Sequence, residues 1–191
     1  MAALIRPVAG DESEQVAAEL IATFGGLRQL LIADTYALPE ALRSSVDHLR
    51  RTENLFSQLL REQLQETKLL NKPELVERYL EYEMGSLSVE QIRILYLDAS
   101  YRLIQDHVVA SGTRWDVRVE LSKILRRCIL FDASAIIIAH NHPSSRRQPT
   151  RSDLESTRIL AESSRLLSVE LIDHWIVTGG GSLSMRAAGL L

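Results

Sequence analysis

Residues 136–153, IIIAHNHPSSRRQPTRSD, constrain this chain more than any other stretch. Ile136 to Ala139 form a short apolar run rich in β-branched residues, which reads as a buried strand. That strand ends in His140-Asn141-His142-Pro143. Side chains alternate across a strand, so His140 and His142 project from one face and Asn141 points away. Two imidazoles on one face, at the point where Pro143 stops the pairing, are placed to hold one metal ion.

A polar loop follows, Ser144 to Pro149, and Thr150-Arg151-Ser152-Asp153 opens an apolar-periodic segment. Thr150 is a good N-cap, which puts Asp153 in the first helical turn. There the helix dipole favours a carboxylate, and the side chain can turn back toward the histidines. Two neutral nitrogens and one carboxylate oxygen leave a fourth position free. That is the ligand count of a catalytic zinc site rather than a closed structural one. Water on such an ion becomes a usable nucleophile near neutral pH, its pKa lowered to roughly 7. The stretch offers only Glu155 as a nearby glutamate, so a general base has to come from elsewhere.

The wording H-N-H-P-S, followed at fixed spacing by a hydroxyl residue and Asp, resembles the JAMM motif of MPN-type (JAB) metalloproteins, and in particular its RadC branch. The resemblance covers Pro73 to the C-terminus and includes V-E-Q-I-R-I-L-Y-L-D at 89–98, Ser111-Gly112-Thr113 and Asp173-His174. It implies that His140, His142 and Asp153 ligate one zinc ion. It also implies that Glu90, at the start of the strand at 90–97, is the general base. The hydroxyl that steadies the oxyanion in this family is usually Ser; here it is Thr150. Cap and oxyanion donor compete for that one hydroxyl, with the cap ahead. Where RadC-like proteins usually have Gly-Asp-Pro, this chain has Ser145-Arg146-Arg147, which makes the rim of the site basic.

A chain of 191 residues allows one compact domain with a small one appended. With 46% hydrophobic and 25% charged residues the composition is that of an ordinary globular protein. A net charge of −3 and a pI near 6.0 give no global nucleic-acid signature. The single cysteine, Cys128, excludes an internal disulfide and a Cys-rich zinc cluster; on an apolar helix face it reads as a buried structural thiol. No run approaches the roughly 20 apolar residues of a membrane span, and the N-terminus is too short in apolar residues for a secretory signal. A cytoplasmic location, with no membrane partner, is therefore expected. Nothing in the sequence sets an oligomeric state.

Residues 1–10 read as a loose lead-in. Helices follow at about 12–24, ended by Gly25-Gly26, in a short segment at 27–33, and over about 44–67. His48, Arg50 and Arg51, with Arg43, read as the wet face of the long helix. RadC-like proteins often carry a helix-hairpin-helix module here, but 38–46 reads LPEALRSSV and lacks the glycine hairpin, so residues 1–70 are expected to be a helical packing segment. Residues 73–191 are the expected RadC-like JAB/MPN domain. It begins with a helix from Pro73 to about Met84, and strands at 91–98 and 102–110 follow. A short strand at 115–119 and a helix at 121–131, with Leu121, Ile124, Leu125, Cys128 and Ile129 on one face, come next. The histidine strand, a helix at 151–166, and strands at 169–177 and 182–186 complete the chain. The fold class is α/β: a mixed β-sheet flanked by helices, preceded by a small all-α segment. The resemblance implies the JAB/MPN, cytidine-deaminase-like version of that class.

Asn141 is expected to pin loop backbone rather than do chemistry. Asp173-His174 reads as core, with His174 either structural or a partner of a metal ligand. The resemblance and the donor set together predict a zinc metallopeptidase-like hydrolase cleaving peptide or isopeptide bonds in a protein or peptide substrate. A non-catalytic accessory role in DNA repair or recombination is the alternative. Arg146, Arg147 and Arg151 would attract a nucleic acid or another acidic partner. A zinc nucleobase deaminase is disfavoured, because the chain has one Cys and no H-x-E.

Overall fold

The structure is a computed structural model and describes residues 1–111, 117–144 and 146–191. It forms two compact units, Met1–Leu59 and Leu60–Leu191, which divide within one long helix. The first unit contains α1 (Ala2–Ala9), α2 (Ser13–Phe24), α3 (Leu27–Ile32) and the opening turns of α4 (Glu40–Glu66). Val16 and Leu20 on α2, and Leu42, Val46 and Leu49 on α4, recur at helical spacing and enclose Ile5 and Leu30. The expected loose lead-in at 1–10 is thus corrected. Ile5 is fully buried in this core, and Pro7 lies late in α1, where its missing N–H removes a single helical bond. The wet-face reading is corrected for Arg43 and Arg50, which are half-buried, while Arg51 is exposed as expected. Arg50 donates from Nε to the Leu31 carbonyl (3.0 Å) and from Nη2 to that of Ala33 (2.5 Å), satisfying the end of α3. Arg43 donates to the Leu38 carbonyl (3.0 Å).

The second unit is built on a five-stranded sheet in the order β2-β1-β3-β4-β5. Its strands are β1 (Gln91–Leu97), β2 (Leu103–Ser111), β3 (Ala135–Asn141), β4 (Glu170–Thr178) and β5 (Gly181–Ser184). β3 runs parallel to β4, and the other neighbours are antiparallel. Every residue of β3 is buried, so both faces need a covering layer. On one face Ala135, Ile137 and Ala139 join Leu95 and Leu97 of β1 and Val76, Tyr79, Leu80 and Met84 of α5 (Pro73–Met84). On the other, Ile136 and Ile138 join Ile92, Ile94 and Tyr96 of β1, Ile124 and Cys128 of α6 (Val117–Leu130), and Leu160 of α7 (Arg151–Arg165). The sheet thus lies between helices, the α/β arrangement expected. Burial pushes the Cys128 thiol up to about 11, consistent with a structural thiol.

Two expectations for the region before β3 need correction. Residues 117–119, expected in a strand, open α6, because the stripe of Ile124 and Cys128 belongs to a helix that starts a turn earlier; 115 and 116, like Gly112 and Thr113, lie outside the described residues. Ile129, expected on the buried face, is 67% exposed, one residue off the stripe that Cys128 ends.

Between β1, β2 and α5 lies a buried ionic group. Arg93 meets Asp106 and donates to Glu83 (2.9 Å) and to the Tyr79 hydroxyl (3.2 Å), which itself hydrogen-bonds Asp106. Removing one member of such a group leaves a charge in the core. Asp106→Ala is expected to lower the unfolding free energy by about 3 kcal/mol in urea titrations; a change below about 1 kcal/mol would show that Glu83 alone suffices for Arg93.

Candidate metal centre

The stripe Ile136, Ile138, His140 on β3 is apolar until its last member, and the facing stripe on α7 changes in the same way, from Leu160 to Thr157 and Asp153. The sheet-helix layer therefore becomes polar at the carboxyl end of β3. His140, His142 and Asp153 are 5%, 8% and 7% exposed, and one ligating atom of each lies within 4.8 Å of those of the others. His140 Nε2 is 2.9 Å from His142 Nε2 and 3.5 Å from Asp153 Oδ1; His142 Nε2 is 3.7 Å from Asp153 Oδ2.

Each ligand is held from behind. His142 Nδ1 donates to the Arg146 carbonyl (2.6 Å), which leaves the lone pair on Nε2, the atom turned to the cluster. His140 Nδ1 is engaged by His174 Nε2 (2.7 Å), so its Nε2 also faces inward. Asp153 Oδ2 accepts from the Thr150 N–H (2.7 Å) and hydroxyl (2.7 Å), while the Thr150 oxygen accepts from the Asp153 N–H (3.1 Å). Thr150 and Asp153 thus form a full capping box at the start of α7. The hydroxyl proton points at Asp153 Oδ2, so steadying an oxyanion would require the hydroxyl to turn away from the carboxylate.

Two inward lone pairs and a carboxylate at this separation need a positive charge among them, a proton or a metal ion. The Asp153 carboxyl reflects this. Burial pushes it up, but the hydrogen bond and charge of His140 and the two Thr150 hydrogen bonds outweigh burial and hold it below the usual carboxylate range. The residues fit a divalent metal with mixed nitrogen and oxygen ligands.

Glu90 directly precedes β1 and is half-buried. Ile92 pairs with His140 as the last pair of the antiparallel ladder, and Glu90 lies two residues before Ile92 in the chain. Asn141 holds this approach. Its Oδ1 accepts from the Gln91 N–H (2.7 Å), and its Nδ2 donates to the Val89 carbonyl (3.0 Å). The residue between the two histidines pins the backbone on both sides of Glu90, as its place facing away from the metal suggested.

His174 is fully buried, and burial pushes its pKa well below the usual imidazole value. Its Nδ1 meets the Thr157 hydroxyl at 2.5 Å. Thr157 escaped the sequence reading; its one signal was a place four residues after Asp153, on the same helix face. Asp173 is structural. It accepts from the N–H of His174 (2.7 Å) and of Arg186 (3.0 Å) and from the Ser184 hydroxyl (2.5 Å). Of the rim arginines, Arg147 donates to the Gly180 carbonyl in the turn between β4 and β5, and a Cβ at Gly181 would lie 3.0 Å from its guanidinium. Arg146 and Arg151 are exposed.

Fold and donor set together define a class, an α/β domain whose buried His-His-Asp cluster could hold a metal ion. A family model described as a RadC-like JAB domain matches residues 70–190. The chain is 33% identical over 189 residues to a UPF0758 protein of Polaromonas sp. (strain JS666 / ATCC BAA-500), covering 95% of this chain and 83% of the relative. It is 35% identical over 192 residues to a UPF0758 protein of Bordetella bronchiseptica, covering 99% and 85%. With a UPF0758 protein of Variovorax paradoxus it shares 34% identity over 197 residues, covering 100% and 87%. The chain belongs to the RadC-like JAB domain family.

Purified wild-type protein dialysed against zinc is expected to keep one ion per chain by elemental analysis, and His142→Ala to keep none. Equal zinc in both would move the site elsewhere. Thr150→Ala removes the cap and is expected to cost about 1 kcal/mol of stability in urea titrations; an unchanged midpoint would show that the capping box contributes nothing.

Proposed function

We propose that this chain is a zinc-dependent hydrolase that cleaves a peptide or isopeptide bond with an activated water. The observation that carries the reading is the convergence of two inward-facing imidazole nitrogens and a carboxylate in one buried cluster, beside the pinned stretch that bears Glu90. Zinc held by His140, His142 and Asp153 would supply a Lewis acid for the scissile carbonyl and lower the pKa of the attacking water. Glu90 is the general base. It directly precedes the strand that pairs with the histidine strand, and would take the water's proton and return it to the leaving amine. Thr150 orients Asp153 first, and reaches an oxyanion only by turning its hydroxyl away. Arg146 and Arg151 give the rim a positive edge that suits acidic residues beside the scissile bond. A role on DNA has less behind it, since Arg147 is engaged by Gly180 and the net charge is −3.

The test is a panel of peptides and isopeptide-linked conjugates read by mass spectrometry. Zinc-loaded wild type is expected to cleave members of the panel. Glu90→Gln should keep one zinc per chain and lose turnover by about a hundredfold or more. Turnover retained in Glu90→Gln removes that residue from the chemistry, and a zinc-loaded wild type that cleaves nothing in the panel sinks the hydrolase reading.

A further inference from the structure

Behind the metal centre runs a line of buried hydrogen bonds whose proton positions can be read in order. The Asp153 main-chain carbonyl can only accept, so the Thr157 hydroxyl, 2.6 Å away, donates to it. The Met185 sulfur, 3.9 Å from the same hydroxyl, is a weak and distant competitor for that proton. With its proton committed, the Thr157 oxygen must accept, and at 2.5 Å the donor is His174 Nδ1. His174 is 0% exposed, and among the described residues its ring nitrogens hydrogen-bond only Thr157 and His140. A ring in that setting holds one proton, so with Nδ1 protonated its Nε2 is an acceptor. The 2.7 Å contact is then a donation from His140 Nδ1, which places the His140 lone pair on Nε2, toward His142 and Asp153.

We propose that Thr157 and His174 are positioning residues that fix His140 in the one tautomer able to bind the metal. The proposal rests on the metal-centre reading. The line starts at the main chain of one ligand, Asp153 on α7, crosses a buried residue of β4, and ends on the ring of another ligand on β3. It therefore ties two of the three ligands together while setting the proton on His140. The hydroxyl at 157 is the directing group. Without it the His174 Nδ1–H has no acceptor, and moving the ring proton to Nε2 removes that buried unpaired donor while keeping one hydrogen bond to His140 with its direction reversed. That proton then faces His140 Nδ1, which must become the acceptor, and the His140 proton shifts to Nε2, where it blocks ligation. Second-layer partners of metal-bound histidines typically alter metal affinity by 10- to 100-fold.

The test compares wild type, Thr157→Val and Thr157→Ser by two measurements: zinc affinity by chelator competition, and imidazole nitrogen-15 NMR of the metal-free protein. We expect Thr157→Val to bind zinc about 10- to 100-fold more weakly and Thr157→Ser to restore the wild-type affinity. The spectrum should show His174 protonated at Nδ1 in wild type and at Nε2 in Thr157→Val. A lost contact that merely softened the fold would lower stability without moving that proton. The proposal is overturned if folded Thr157→Val binds zinc as wild type does, or if wild-type His174 carries its proton on Nε2. Should Thr157→Val not fold, the wild-type spectrum decides. Should wild type bind no zinc at all, the metal-centre reading falls, and the nitrogen-15 result still settles which way the line of protons runs.

Discussion

The burial of β3 on both faces is the constraint on which the second unit rests. Seven consecutive residues, Ala135–Asn141, are shielded from water, which is stable only with α5 over one face and α6 with α7 over the other. Small residues, Ala135 and Ala139, stand with Ile137 on the α5 side, and Ile136 and Ile138 fill the α7 side. The strand carries its burial to its end, so His140 and Asn141 are enclosed although both are polar. Buried polar groups need partners, and the surrounding structure supplies them: His174 and the cluster for His140, and the backbone at 89–91 for Asn141.

The same enclosure makes the cluster chemically specific. In water, two imidazoles and a carboxylate would be solvated singly and would need no common partner. Within the layer each is oriented by a hydrogen bond from behind, so their free electron pairs converge. The capping box shows how economically this is built. The hydrogen bonds that start α7 are the ones that aim Asp153, so helix initiation and ligand orientation are one event.

Much of this was legible in the residues, and what was not has physical causes. The cluster was readable because strand alternation and a helix cap are local rules: they bring His140, His142 and Asp153 together without knowledge of the rest of the fold. The same holds for the two-faced strands, whose apolar runs are continuous, and for Asn141, whose facing away follows from the alternation. Glu90 was singled out only through the resemblance, since no local rule relates the start of β1 to residues on β3. Thr157 was hidden because its partner lies on β4, and a hydroxyl at a helical position has no distinctive local signal. The helix at α1 was missed because Pro7 interrupts its pattern and the neighbours that bury Ile5 lie on later helices. Arg50 was misjudged for a similar reason, since the carbonyls it satisfies lie at the end of α3, 17 and 19 positions away.

The clamp formed by Asn141 bears on the order in which the molecule can become complete. His140, His142 and Asp153 belong to one short stretch and can gather by a local closure. The Asn141 to Gln91 bond spans 50 positions and exists only once β1 has docked beside β3. Before that docking the backbone on both sides of Glu90 is not yet pinned. Final docking of the sheet is thus the step that closes this clamp across 50 positions of chain.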